Sequence, residues 1–283
     1  AARTGLGPAF WGLSLCAILG IVDGLQRLEA SLLSRLLTLL GIVAAITAMT
    51  LSGTFDDLSV MREYAVRRSA FAAEFGMHCV IVTAALIPAV LIGAPLGLLA
   101  ARHARTAGPI FATLNILQTI PSVALFGLLI APLSALAKVS PTLAAFGVGG
   151  IGITPALIAL VLYALLPVVR NTHAGLTGVD AALLEAARGM GMTSVQIFWH
   201  VERPLAAPVF LAGIRIVVVQ TIGLAVVAAL IGAGGLGTFV FQGLGQYAID
   251  LILLGAIPAI LLALAADFTL KIFIELTAER SAP

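Results

Sequence analysis

EAARGMGMTSVQIFWHVERPLAAP, Glu185 to Pro208, is the longest polar interruption between the last three apolar runs of this 283-residue chain. It follows a run that ends in LLPVVRN at Asn171 and precedes one that stays apolar to about Ile231. A stretch this polar, flanked by segments long enough to cross a bilayer, lies outside the hydrocarbon. Its spacing predicts two short helices. Asp180 caps the first, whose early turns hold the acidic Glu185, and Gly189 and Gly191 end the helical pattern. Thr193 opens the second, with Gln196 three residues on in capping-box spacing. The expected result is a compact helix-turn-helix knob on a membrane protein.

Composition agrees with that class. Charged residues make up 10% of the chain and the hydrophobic set 61%, where soluble domains carry about 25% and 45–50%. The net charge of +2 says little, because in a membrane protein the placement of charge carries the information. Cys16 and Cys79 fall in apolar runs at unrelated positions, so no disulfide framework is expected. Four histidines without a zinc-type spacing give no metal signal, and nothing in the chain suggests a nucleic-acid partner.

Five apolar runs form the body of the chain: His78 to Ala101, Pro109 to Ala131, Ile153 to Val169, Leu205 to Ile231 and Leu251 to Phe273. Backbone groups in lipid must be satisfied within the segment, and no ten-residue stretch alternates with period two, so these are helices of an all-α polytopic protein. Ahead of them, Leu32 to Leu51 is long enough to cross. Ala9 to Val22 is short for a crossing, which needs about 20 residues, and reads as the remnant of a span or as a signal-like segment. The chain opens at Ala1 without a methionine, which leaves a trimmed start or missing earlier spans open. Ser52 to Met77 mixes Asp56, Asp57, Glu63 and Glu74 with Arg62, Arg67 and Arg68 and reads as an amphipathic linker. It divides a front, residues 1–77 with one or two spans, from a five-helix core, residues 78–283.

Several residues here resemble a known family. Glu185, Ala186, Ala187, Gly191, and Phe198 followed by Pro204 are similar to the EAA loop of permease subunits of bacterial ABC importers. The resemblance runs from about His78 to Arg280. Within it, LQTIPSVALFGLLI (Leu117 to Ile130), LYALLPVVRNTHAGL (Leu162 to Leu176) and IGAGGLG (Ile231 to Gly237) look like the branch that imports glycine betaine, choline and related osmoprotectants. Arg203-Pro204 departs from the family's usual Leu-Pro. The resemblance implies a permease without an ATPase site of its own, in a bacterial inner membrane. Its loop, about residues 172–204, would act as a coupling helix on a cytosolic ATPase subunit that holds ATP and Mg. Glu185, Ala186, Ala187, Gly191 and Phe198 would transmit ATPase closure. It further implies a second permease copy or related permease, and an outer solute-binding protein. Methionine importers have similar loops and glycine-rich bends, and stand as an alternative substrate class. A secondary transporter or channel is the alternative from a different class; the former needs repeats or ion-coupling acids within the membrane, and a channel has no need of the knob.

Charge placement orients the core. Arg102, Arg105, Arg170, Arg188, Arg203, Lys271 and Arg280 fall on one side and only Lys138 on the other, which puts the Glu185 loop and the C-terminus in the cytoplasm. The three arginines of the front linker run against this count.

The second core run carries a polar stripe, Asn115, Gln118, Thr119 and Ser122 at i, i+3, i+4 and i+7, with Phe111 and Phe126 beyond its ends. Such a stripe faces another helix or lines the translocation path, and both readings stand. Pro121 beside it predicts a kink. Gln220 and Thr221 in the fourth run are further candidates for the path. Arg215 in that run either snorkels to the cytosolic surface, which is the favoured reading, or pairs within the bundle, and Asp267, Lys271 and Glu275 read as an interfacial ion-pair ladder in preference to a proton relay. Gly232, Gly234 and Gly237 match G-x-G-x-x-G literally, but they follow a long apolar helix and Asp250 comes too early for a dinucleotide site. A tight bend or a close helix contact is expected there. No G-x-x-x-x-G-K-[ST] occurs, so an ATPase would be another polypeptide.

Overall fold

The computed structural model describes residue 5 and residues 7–28 and 32–281. Ala1 lies outside them. Helices dominate, and no strand occurs among the described residues. In chain order they are α1 (Pro8–Arg27), α2 (Leu32–Leu51), α3 (Ser59–Val66), α4 (Arg68–Arg102), α5 (Ala104–Thr119), α6 (Ser122–Val139), α7 (Pro141–Ala145), α8 (Ile153–Thr177), α9 (Ala181–Gly189), α10 (Ser194–Ile197), α11 (Arg203–Val227), α12 (Gly237–Gln246) and α13 (Ile249–Ser281). Among the described residues, five segments are long and apolar enough to cross a membrane: Arg68–Arg102, Ser122–Val139, Ile153–Thr177, Ser194–Ile231 and Ile249–Glu275. The all-α, five-span core expected from the apolar runs is therefore present. At 20 residues, α1 is longer than its apolar run alone implies.

Glycine decides how closely the central helices pack. α4 and α8 run side by side in the same direction: a Cβ on Gly93 would lie 2.7 Å from Val168 Cγ1, and one on Gly97 would lie 2.5 Å from Thr172 Cβ. α11 returns antiparallel to α8, with Gly213 against Asn171 and Gly175 against the Ala206 carbonyl. Beyond these contacts, toward the end opposite the Glu185 loop, lies a core of small and branched side chains, including Ile81, Ala85, Ala156, Ala159, Leu160 and Ala225. Small residues let membrane helices approach closely enough for dispersion to hold them.

Two sequence readings change. The Ser52–Met77 linker is largely helical: α3 fills its middle and α4 begins at Arg68, so the residues around Met77 are mid-helix. Aromatic contacts explain why this segment is held. Phe71 makes an edge contact with Tyr64 and stacks on Phe239 of α12, and Ser59 Oγ donates to Asp250 Oδ1 at 2.5 Å. The run Pro109–Ala131, read as one kinked helix, is two. Ile120 is extended (φ −73°, ψ 125°), because the ring of Pro121 disfavours helical backbone before it and lacks an N–H to continue the ladder. The carbonyl of Ile120, freed by the break, accepts the Tyr163 hydroxyl from α8.

At the end of the bundle opposite the Glu185 loop, the chain turns sharply after Ile231. Gly232, Gly234 and Gly235 have φ of 77°, 80° and 84°, which glycine alone adopts without strain. A Cβ on Gly237 would lie 1.9 Å from the Val226 carbonyl oxygen. The expected bend and the expected close contact are both there, followed by α12, which was not anticipated.

Replacing Gly97 with Ala should lower the thermal midpoint of the detergent-solubilised protein, since the new methyl meets α8 head-on and overpacking costs about 1–3 kcal/mol. Gly108→Ala, with nothing within 4 Å of its Cβ position, should leave the midpoint unchanged or slightly raised.

Candidate coupling site

The knob forms as its caps dictate. Asp180 Oδ1 accepts from the Ala182 backbone N–H at 2.9 Å, opening α9. Gly191, with φ 80°, reverses the chain after α9, and the full Thr193–Gln196 capping box opens α10. The second knob helix is not separate from the span that follows. A π turn, Phe198–Glu202, joins α10 to α11, so Ser194–Ile231 runs as one helical segment.

The residues of the loop motif divide by environment. Ala187 is buried within the knob and Phe198 is half-buried, whereas Glu185, Ala186 and Gly191 are exposed. A side chain at Gly191 would meet open space, so only its backbone conformation demands glycine. Four apolar side chains of the knob also face outward: Leu183 at 49%, Met190 at 75%, Val195 at 67% and Trp199 at 51% exposure. Sequence reasoning did not single these out, because exposure of an apolar residue in a short helix depends on what packs behind it.

An ion pair fastens the knob to α4. Arg102, the last residue of α4, donates from Nη1 to Glu202 Oε1 at 2.8 Å and from Nη2 to Oε2, and its guanidinium lies 5.9 Å from the centre of the Phe198 ring. Glu202 is 4% exposed. A buried carboxylate needs such a partner, and the bidentate guanidinium is the strongest that side chains offer. The Arg203 guanidinium lies 4.9 Å from the centre of the Trp199 ring, which gives the unusual Arg203-Pro204 a structural role. Arg102 and Glu202 were missed from sequence; they stand 100 positions apart, and no spacing rule joins them.

The polar stripe does not remain one face, since the helix breaks inside it. Asn115 Oδ1 accepts from Arg170 Nη2 at 3.2 Å and Gln118 Nε2 donates to the Tyr163 carbonyl at 3.0 Å, both on α8. Thr119 bonds back to the Ile116 carbonyl of its own helix, and Ser122 starts α6. Thr221 is buried and Gln220 half-buried on α11. The candidates for the path are thus not gathered into one site.

Arg215 does not snorkel. Its Nε and Nη2 reach Asp267 Oδ1 and Oδ2 of α13 at 2.5 and 2.8 Å. Asp267 is consequently tied across to α11 rather than opening a ladder along its own helix. Two opposite charges within reach between antiparallel helices lose less by pairing than by being desolvated separately.

With this geometry in place, the comparisons with known proteins become informative. The family described as "Binding-protein-dependent transport system inner membrane component" matches residues 93–280, and "ABC transporter permease YehY, N-terminal domain" matches residues 1–61. The carnitine transport permease protein OpuCB of Listeria monocytogenes is 44% identical over 193 residues, 68% of this chain and 81% of that protein. The osmoprotectant import permease protein OsmW of Salmonella typhimurium is 43% identical over 68% of this chain and 85% of its own length. The choline transport system permease protein OpuBB of Bacillus subtilis is 40% identical over 69% and 82%. Among solved structures, a chain of the MetNI methionine ABC transporter in an inward-facing conformation superimposes with a TM-score of 0.62 at 21% identity, covering 71% of this chain and 93% of that one; it shows the fold alone. The chain belongs to the binding-protein-dependent transport system inner membrane component family. It is a multi-pass permease of an ABC importer.

Replacing Arg102 with Ala should strand the Glu202 carboxylate, at a cost of about 3–5 kcal/mol. Limited proteolysis is expected to cut residues 178–202 faster in this variant than in the native chain, and Arg102→Ala combined with Glu202→Gln should recover part of the protection.

Proposed function

We propose that the chain is the membrane permease of an ATP-driven importer of quaternary-ammonium osmoprotectants such as glycine betaine, choline and carnitine, and that its knob couples ATPase closure to transport. The substrate class rests on relatives at 40–44% identity whose names specify carnitine, osmoprotectants and choline. The methionine transporter shares the fold at 21% identity, too distant to argue for its substrate. The partners are a cytosolic ATPase that binds ATP and Mg, a second permease copy or related permease, and an outer solute-binding protein. The permease itself would carry no catalytic site. The knob and the C-terminus would lie in the cytosol of an inner-membrane protein, a reading supported by the distribution of Lys and Arg in the core.

One observation carries the coupling role: a knob that exposes Leu183, Met190, Val195 and Trp199 continues without interruption into α11 and is clamped to α4 by Arg102 and Glu202. The exposed apolar set and the neighbouring Glu185 form the docking surface, while Ala187 and Phe198 stiffen the knob behind it. A push on the knob is then delivered to two core helices as a rigid-body displacement. Asn115, Gln118, Thr119, Ser122, Gln220 and Thr221 are the polar groups this reading assigns to the path, with Asn115 and Gln118 bonding to α8 in the present conformation.

In reconstituted permease and ATPase, binding protein charged with glycine betaine should stimulate ATP hydrolysis. Glu185→Ala and Gly191→Val are expected to lose most of that stimulation, the latter because a branched residue in left-handed backbone costs about 1–3 kcal/mol. Met190→Asp should reduce co-purification of the ATPase while leaving the thermal midpoint of the permease unchanged. Full stimulation by all three variants would refute the coupling role, and stimulation only by another solute class would refute the substrate.

A further inference from the structure

At the end of the bundle opposite the knob, Glu74 of α4 stands between two recesses. One, of about 490 Å³, is lined by Met77, Gly147, Gly152, Ile153 and the 232–234 glycine turn; the other, of about 520 Å³, by Leu230, Thr238, Phe241 and Gln242. Glu74 lines both. Its Oε2 accepts from the Gly235 backbone N–H at 2.6 Å and from Thr238 Oγ1 at 3.2 Å. Both donors are neutral, and no described cationic side chain lies within ion-pairing distance of this carboxylate. Of the charged side chains placed in the interior of the bundle's long helices, Arg215 and Asp267 neutralise each other; Glu74 has no such counterpart.

The geometry points to Glu74 and the glycine turn as a binding site for a bulky organic cation, the quaternary-ammonium group of the solute; this deepens the proposed function and rests on it. Held by neutral donors alone, this carboxylate meets no counter-charge among its own hydrogen-bond partners, so its field reaches into the recess. A small inorganic cation is poorly served, since such ions take several oxygen ligands and no group of three or more acidic, His or Cys residues occurs among the described residues. A methylated ammonium needs no donor or acceptor bonds. It needs a counter-charge, apolar surface for its methyl groups and an aromatic face where one is offered; the first recess sets Met77 and Ile153 beside Glu74, and the second sets Leu230 and Phe241 beside it. The glycines leave room, since the turn has no side chains to fill it. One turn deeper, His78 is fully buried against Gly235, so the turn lies on a closed floor. The carboxylate is thus both the anchor of the turn and the counter-charge, and a cation arriving there competes with the Gly235 and Thr238 donors for it.

The test is equilibrium binding of radiolabelled choline to the full chain in lipid nanodiscs. Saturable binding should be displaced by tetramethylammonium and not by 3,3-dimethylbutan-1-ol, the neutral carbon isostere of choline. Glu74→Gln keeps an acceptor for the turn and removes the charge; it should weaken choline binding about tenfold or more with the thermal midpoint unchanged. Asp57→Asn, which removes an exposed carboxylate that lines neither recess, should hold affinity within about twofold. The site is refuted if wild-type protein shows no saturable binding, if the isostere competes equally, or if Glu74→Gln binds as wild type. Equal losses in Asp57→Asn and Glu74→Gln would also overturn it, since the overall charge of the protein would then be the cause. None of these outcomes touches stimulated ATP hydrolysis, which decides the importer reading separately.

Discussion

Helices in a bilayer gain little by hiding apolar side chains from one another, because lipid is as apolar as they are. What holds α4, α8 and α11 together must therefore be close backbone approach and polar links. Gly93, Gly97, Gly175 and Gly213 provide the approach, each placed where a single added carbon would collide with the facing helix. Every other feature of the bundle is arranged around this contact. α4 and α8 end together at the knob, α11 begins there, and the ion pair of Arg102 and Glu202 closes the same end.

The interruptions in the helices matter as much as the helices. At three places where the backbone ladder stops inside the bundle, the freed group meets a specific partner. The break before Pro121 exposes the Ile120 carbonyl, which takes the Tyr163 hydroxyl. The turn after Ile231 exposes the Gly235 N–H, which takes Glu74, and the Ile231 carbonyl accepts from Gly152 N–H at 2.7 Å. Irregular backbone at membrane depth is tolerated only with such satisfaction. The breaks thus mark the places where the structure departs from a plain bundle and where side chains of different helices must meet.

Charge follows the same economy. Within the long core helices, Arg102 meets Glu202 and Arg215 meets Asp267, each through both guanidinium arms. The knob behaves differently: its Glu185 is exposed alongside apolar side chains, the mixture expected of a surface that another protein covers. Joined to α11 by a π turn, it has no hinge of glycine or proline between Thr193 and Glu202 in which a displacement would be lost.

Much of this was legible in the residues. Apolar runs, polar loops, the caps at Asp180 and Thr193 and the glycine turn are local, since each depends on neighbours within a few positions, and each stands where the sequence put it. The split at Pro121 was legible as a disturbance but not as a complete break, because only the Tyr163 hydroxyl on α8 makes the extended Ile120 tolerable. Arg215 was legible as a residue that either snorkels or pairs, and the choice between them needed its partner, Asp267, which comes from another helix. The helical front of α4, the Arg102–Glu202 clamp and the position of Glu74 under the glycine turn were likewise beyond local reading. By itself the sequence determined that the chain is a helical membrane protein with a capped knob, because spanning length and capping are properties of contiguous residues. Only the tertiary structure decided which charges pair, which polar groups bridge helices and which backbone groups Glu74 holds, because those depend on side chains brought together from distant positions by the packing of glycine-lined helices.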